Sequence, residues 1–151
     1  MNALKPFDDR LAGLLANLSP QSRKQLAADI AKKLRASQQQ RIKRQQAPDG
    51  SPYAARKAQP TRHKKGRIKR EMFAKLRTAR YMKAKGNTNE AVVEFTGRVQ
   101  RMAAVHHFGL RDRPSVHSQD VQYDERPLLG FDKDSIQLIE KELLIKLSDN
   151  L

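Results

Sequence analysis

The chain has 151 residues, 31 Lys and Arg against 16 Asp and Glu, 38% hydrophobic residues and no cysteine. That is enough for one compact domain with extensions around a small core, and it excludes disulfides and cysteine-based zinc or iron–sulfur sites. No window approaches the roughly 18 apolar residues needed to cross a bilayer, and the first residues meet Asp8 and Asp9 before any hydrophobic stretch, so neither a signal peptide nor a membrane partner is expected.

Leu4, Phe7, Leu11, Leu14, Leu15 and Leu18 recur at three- and four-residue steps, the spacing of a short amphipathic helix. Ser19-Pro20 then starts a second helix, with Ser as cap and Pro in the first helical position. Its thin apolar stripe is Leu26, Ile30, Ala31, Leu34 and Ile42, and it is expected to run to Gln46, a rod of roughly 39 Å at 1.5 Å per residue. The far half, residues 37–46, is so polar that burial within its own monomer is not expected to hold it: it frays or a partner orders it.

This helix lies in the basic part of the chain. Residues 20–80 carry 19 Lys and Arg against Asp29, Asp49 and Glu71, a balance of +16, whereas residues 1–19 are neutral, 81–131 are net +1 and 132–151 net −2. One segment therefore faces something anionic while the remainder packs as a near-neutral domain. Ala47 to Pro52 reads as a turn. Tyr53 to Arg70 has little periodicity and dense charge, which predicts a loop.

Met72, Phe73 and Leu76 predict a short helix leading into a strand near 81–84. Residues 85–89 form a hairpin loop, and Ala91 to Thr96 is the best strand, with Ala91, Val93 and Phe95 sharing its buried face. Arg98 to Phe108 is helical, with Val99, Met102, Ala103 and His106 on one side and Gly109 ending it. Leu110 to Tyr123 reads as an exposed loop and Arg126 to Phe131 as extended chain. Asp132 is placed to cap a last helix whose apolar face is Ile136, Ile139, Leu143 and Leu147.

Little here suggests chemistry. His106 and His107 are adjacent, so on a helix they point about 100° apart and cannot grip one metal ion together. His106, on the apolar stripe, reads as a packed, hydrogen-bonded core histidine. Ser115 and His117 lack an orienting acid at a fixed offset, and the P-loop, dinucleotide and zinc-finger patterns are absent. No enzyme, metal or cofactor is expected. Arg41, Lys43, Arg44, Arg62, Lys64, Lys65, Arg67, Lys69 and Arg70 form a candidate surface for a polyanion or an acidic partner. Base reading needs a helix or sheet in a groove, and single-strand stacking needs aromatics among the basics, of which only Tyr53 and Phe73 flank the run.

Val92 to Gly97, then Ala104-Val105-His106-His107-Phe108-Gly109, then Arg126 to Phe131 together resemble the phage virion morphogenesis family, in particular the tail-completion, or tail-terminator, proteins of temperate contractile-tailed bacteriophages of the P-two type. Leu4 to Phe7, residues 30–40, Pro48-Asp49-Gly50 and residues 65–73 extend the resemblance over nearly the whole chain. It implies an α+β fold, a small mixed or antiparallel sheet packed by helices, with a long N-terminal helix and a basic loop. It also implies a subunit that closes into a ring, usually of six, on the end of a finished tail, assembled late in the bacterial cytoplasm and carried in the tail or neck of the virion. Implied partners are a second copy, tail tube and sheath proteins and head-completion or connector proteins, with genome DNA in the lumen as a further candidate.

On this reading residues 1–46 are a helical region, 47–71 a basic arm and 72–151 the α+β core. Val92, Glu94, Phe95, Arg126, Pro127 and Leu128 are candidate ring-interface residues, because a closed ring needs two different surfaces per subunit. His106, His107, Phe108 and Gly109 carry the family-like motif. The alternative is a free nucleic-acid-binding protein that contacts the DNA backbone through residues 41–70.

Overall fold

A computed structural model describes residues 5–56 and 71–149. Among them are helices α1 (Lys5–Ala16) and α2 (Pro20–Lys43), strands β1 (Met82–Gly86) and β2 (Ala91–Phe95), helix α3 (Gly97–Phe108), strands β3 (Arg111–Asp112) and β4 (Val121–Gln122), and helix α4 (Lys133–Ser148). The class is α+β, with two small two-stranded sheets. Strands β1 and β2 are joined by four residues, too few for a crossover, so they run antiparallel. Strands β3 and β4 pair antiparallel, Arg111 opposite Gln122 and Asp112 opposite Val121. The chain packs as two units, one of Met1–Arg35, Ala84–Val93 and Lys133–Leu151, the other of Ala36–Lys83 and Glu94–Asp132.

The first unit has an aliphatic core. Leu18, Leu26, Ile30, Leu34 and Leu147 are buried together, and Leu15, Ala91, Val93, Leu138, Ile139 and Leu143 pack against them. Removing any one of the five to Ala costs about 2–5 kcal/mol in a core of this kind. Helix α2 begins as its sequence dictates: Ser19 Oγ accepts the Ser22 backbone N–H at 3.1 Å, satisfying one of the orphan donors at the helix start. Gly86 lies against the α2 backbone, where a Cβ would come within 2.7 Å of Ala28 Cα. Lys33 and Glu142 form an ion pair at the edge of this core. The expected apolar face of α4 holds at Ile139, Leu143 and Leu147, but Ile136 is 48% exposed, because the cluster meets α4 only from Leu138 onward.

The second unit overturns the expectation for the polar end of α2. Gln38, Arg41 and Ile42 are buried, so this end is held within its own chain, by hydrogen bonds where the first half uses aliphatic contact. The helix stops at Lys43 rather than Gln46. Gln45 takes a left-handed φ of 58°, its N–H bonds to Ile42 O at 2.8 Å, and the Gln46 N–H reaches Arg41 O at 3.3 Å. This is the Schellman pattern that ends many helices, here without the usual glycine. The predicted turn follows: Gly50 has φ 87° and its N–H bonds to Ala47 O at 2.9 Å.

Two further expectations are corrected. Residues 72–81 form successive turns rather than a helix, because Phe73 is left-handed at φ 66° and a residue there cannot propagate a right-handed helix. The expected loop from Leu110 to Tyr123 contains the β3–β4 ladder.

Candidate functional site

The His-His-Phe-Gly stretch closes α3. Gly109 takes φ 66°, and its N–H bonds back to Val105 O. A Cβ there would stand 2.7 Å from the Glu125 backbone nitrogen, so glycine is required twice over, by conformation and by close approach. The chain then returns past this helix end: the Arg126 N–H donates to His106 O at 2.8 Å, and the Leu128 N–H donates to His107 Nδ1 at 3.0 Å. His107 therefore accepts at Nδ1 as a neutral ring. Burial lowers its pKa, the Glu125 carboxylate opposes that and the Arg41 charge adds to it.

Residues 126–130 are fixed from behind by polar side chains. Arg41, 1% exposed, donates to Leu128 O, to Gly130 O at 3.4 Å and to the Asp132 carboxylate at 3.4 Å. Gln38 Oε1 accepts the Gly130 N–H at 3.1 Å, and Tyr53 OH donates to Pro127 O at 2.8 Å. Burial pushes the Tyr53 phenol up to about 12, with Arg41 pulling the other way, so it remains a donor throughout the physiological range. Buried polar groups of this kind must be bonded to be tolerated, and here the bonds define the path of the extended segment.

The described chain is also anchored on both sides of residues 57–70. Arg126 donates from Nε to Ala54 O at 2.9 Å and from Nη2 to Ala55 O at 3.1 Å. The Gln45 carboxamide donates to Met72 O at 2.9 Å and accepts the Met72 N–H at 3.0 Å. Between these anchors opens a cavity of about 760 Å³ lined by Met72, Phe73, Leu76, Met102, His106 and Tyr123 among others. The His106 ring packs edge-on against Phe73 at 5.3 Å and Tyr123 at 4.7 Å. The expectation of a packed histidine holds, but its Nδ1 is buried without a hydrogen-bonding partner among the described residues. Burial, then the Arg126 charge, lowers its pKa.

The residues singled out by sequence fall into three groups. Arg62, Lys64, Lys65, Arg67, Lys69 and Arg70 lie outside the described residues. Lys43 and Arg44 are exposed at the end of α2, but Arg41 is interior and its guanidinium is committed to carbonyls, so it does not belong to a polyanion-facing surface. Of the interface candidates, Glu94 is exposed and Val92, Phe95 and Pro127 are half-buried. Arg126 and Leu128 are buried within their own chain and offer no side chain to a neighbour. Phe108, in the motif, is 62% exposed.

Gln38, Gln45 and Tyr53 were not foreseen as structural residues. Gln38 and Gln45 continue the three- and four-residue spacing of the α2 stripe, which was the available signal. Among the described residues, no three His, Asp or Glu side chains gather as metal ligands, and Ser115 Oγ bonds to Ser118 Oγ at 2.6 Å.

The folded chain is thus an α+β protein in which an extended, internally braced segment comes after a helix that ends in an exposed aromatic. The phage virion morphogenesis family matches residues 2–148, and the chain belongs to that family. It is 46% identical over 148 residues, 97% of this chain and 99% of its relative, to tail completion protein S of Escherichia phage P2. No solved structure matches the chain.

Proposed function

We propose that this protein completes phage tails as a non-enzymatic structural component of the virion. The observation that carries this is the 46% identity to a tail completion protein over 97% of the chain and 99% of that relative.

In this reading copies close into a ring, six being the number that matches a tail tube, and the ring caps the tube and sheath and receives the head-completion or connector proteins. It is built in the bacterial cytoplasm and leaves in the neck or tail of the particle. The exposed Glu94 and the half-buried Val92, Phe95 and Pro127 are the sheet-edge and segment positions open to a neighbouring subunit. The basic segment, from Lys43 and Arg44 through Arg62, Lys64, Lys65, Arg67, Lys69 and Arg70, lines the lumen where DNA passes or meets acidic faces of the next ring.

The test is complementation. A contractile-tailed phage with a nonsense mutation in its own tail-completion gene, grown in cells that supply this chain, should regain infectious particles, and negative-stain images of the purified protein should show rings as wide as a tail. A protein that stays monomeric at high concentration, fails to bind tails and instead holds duplex DNA at sub-micromolar affinity with a steep salt slope is the nucleic-acid-binding alternative. Replacing the six cationic residues from Arg62 to Arg70 by Gln should leave rings intact but block head joining; loss of the fold contradicts that assignment.

A further inference from the structure

A second cationic site lies outside the basic segment of residues 41–70. Arg101 of α3 and Arg111 and Arg113, in and just after β3, frame an open cleft of about 700 Å³ together with Asp112, Ser115, Val116 and Asp120. All three arginines are exposed. Two are paired: Arg101 with Asp112 at 3.3 Å and Arg113 with Asp120 at 3.5 Å. The Arg111 guanidinium has no hydrogen bond or ion pair among the described residues. At the lip, Val116 is 84% exposed.

We propose that this cleft is a docking site for an acidic segment of a partner protein, one that presents a carboxylate to Arg111 beside an apolar side chain that covers Val116. Three guanidiniums against two carboxylates leave the cleft with one positive charge to match, which suits a single Asp or Glu. A nucleic-acid backbone fits worse: its binding strength comes from several phosphate contacts at once, and successive phosphates would meet Asp112 and Asp120 as like charges. Arginine takes a carboxylate through two parallel hydrogen bonds. The two ion pairs already present are exposed and therefore worth little, so they can exchange partners with an incoming carboxylate. An exposed valine at the rim gains from a protein side chain and gains nothing from phosphate. The inference does not rest on the tail-completion reading.

The probe is a capped hexapeptide with one carboxylate, Gln-Leu-Glu-Gln-Leu-Gln, titrated into the full-length isotope-labelled protein at 0.15 M salt and followed by NMR, with the Gln-Leu-Gln-Gln-Leu-Gln peptide and a 12-base-pair duplex as comparators. The acidic peptide should shift the amides of residues 110–122 and the side-chain Nε signals of Arg111 and Arg113. Arg111→Gln should weaken that response at least fivefold while the remainder of the spectrum is unchanged. Arg111→Lys, which keeps the charge but loses the fork, should fall between. Equal shifts with the uncharged peptide, an undiminished response in Arg111→Gln, or tighter engagement of these residues by the duplex each overturns the proposal.

Discussion

His107 and Leu128 are joined by a hydrogen bond that exists only while the imidazole is neutral: the Leu128 N–H donates to His107 Nδ1 at 3.0 Å. A protonated ring has no lone pair to offer. The pKa of His107 and that of His106 are both held below the ordinary histidine value, chiefly by burial. The unfolded chain then binds more protons than the folded one as pH falls, so stability is complete above the unfolded value of about 6.5 and declines below it. Melting temperature should therefore drop between pH 7 and pH 5.5, ahead of the carboxylate range. His107→Gln should flatten that part of the profile; an unchanged slope in His106→Gln/His107→Gln contradicts the assignment.

Arg41→Ala should be among the most damaging single changes in the chain. It strands the Leu128 and Gly130 carbonyls and takes one partner from the Asp132 carboxylate, and removing one member of a buried charged network costs about 3–5 kcal/mol. Urea unfolding measures it. Arg41→Lys should recover part of the loss, because a point charge reaches one acceptor but lacks the planar fork.

Gln45→Gly separates two rules that point in opposite directions. Glycine at a left-handed helix end relieves about 1–2 kcal/mol of backbone strain, so helix chemistry alone predicts stabilisation. The carboxamide, however, bonds Ile42 O and both backbone groups of Met72, and three bonds at about 0.5–1.5 kcal/mol each outweigh the strain. The variant should lose about 1–2 kcal/mol net; a higher midpoint in urea shows that the Met72 clip contributes nothing.

Gly86→Ala should destabilise the first unit by about 1–3 kcal/mol, the usual range for forcing a methyl into a packed site. The added Cβ meets the α2 backbone at Ala27 and Ala28, and main chain cannot swing aside as a side chain can. Thermal unfolding checks this, and Gly13→Ala, where a Cβ meets nothing within 4 Å, is the control.

The aliphatic part of the fold was legible because its signal is periodic. Leu26, Ile30 and Leu34 on α2, Ala91 and Val93 on β2 and Leu143 and Leu147 on α4 sit where their spacing puts them, and Gly109 ends α3 as expected. The polar part was hidden by a bias in how patterns are read. Gln38 and Arg41 extend the buried stripe of α2 at the same steps as the leucines, and the half-buried Gln45 follows just past its end, yet a charge or an amide counts as outward-facing when partners far away in sequence are unknown. Arg126 was read as an interface residue for the same reason, since its partners Ala54 and Ala55 show nothing of the contact in their own sequence. Phe73 ended a predicted helix through a dihedral that no residue preference signals.

Arg41 has a consequence for how this protein can vary. Its cation is solvated by peptide oxygens in place of water, so residues 128 and 130 act on it through main-chain shape and not through their side chains. Substitutions at the half-buried Leu129 between them can keep Arg41 in place while exchanging what the segment shows to the outside, provided the carbonyls stay aimed inward. A proline or a stiff β-branched residue that turns one carbonyl away would expel an ion from its solvent, although no residue bearing a charge had been altered.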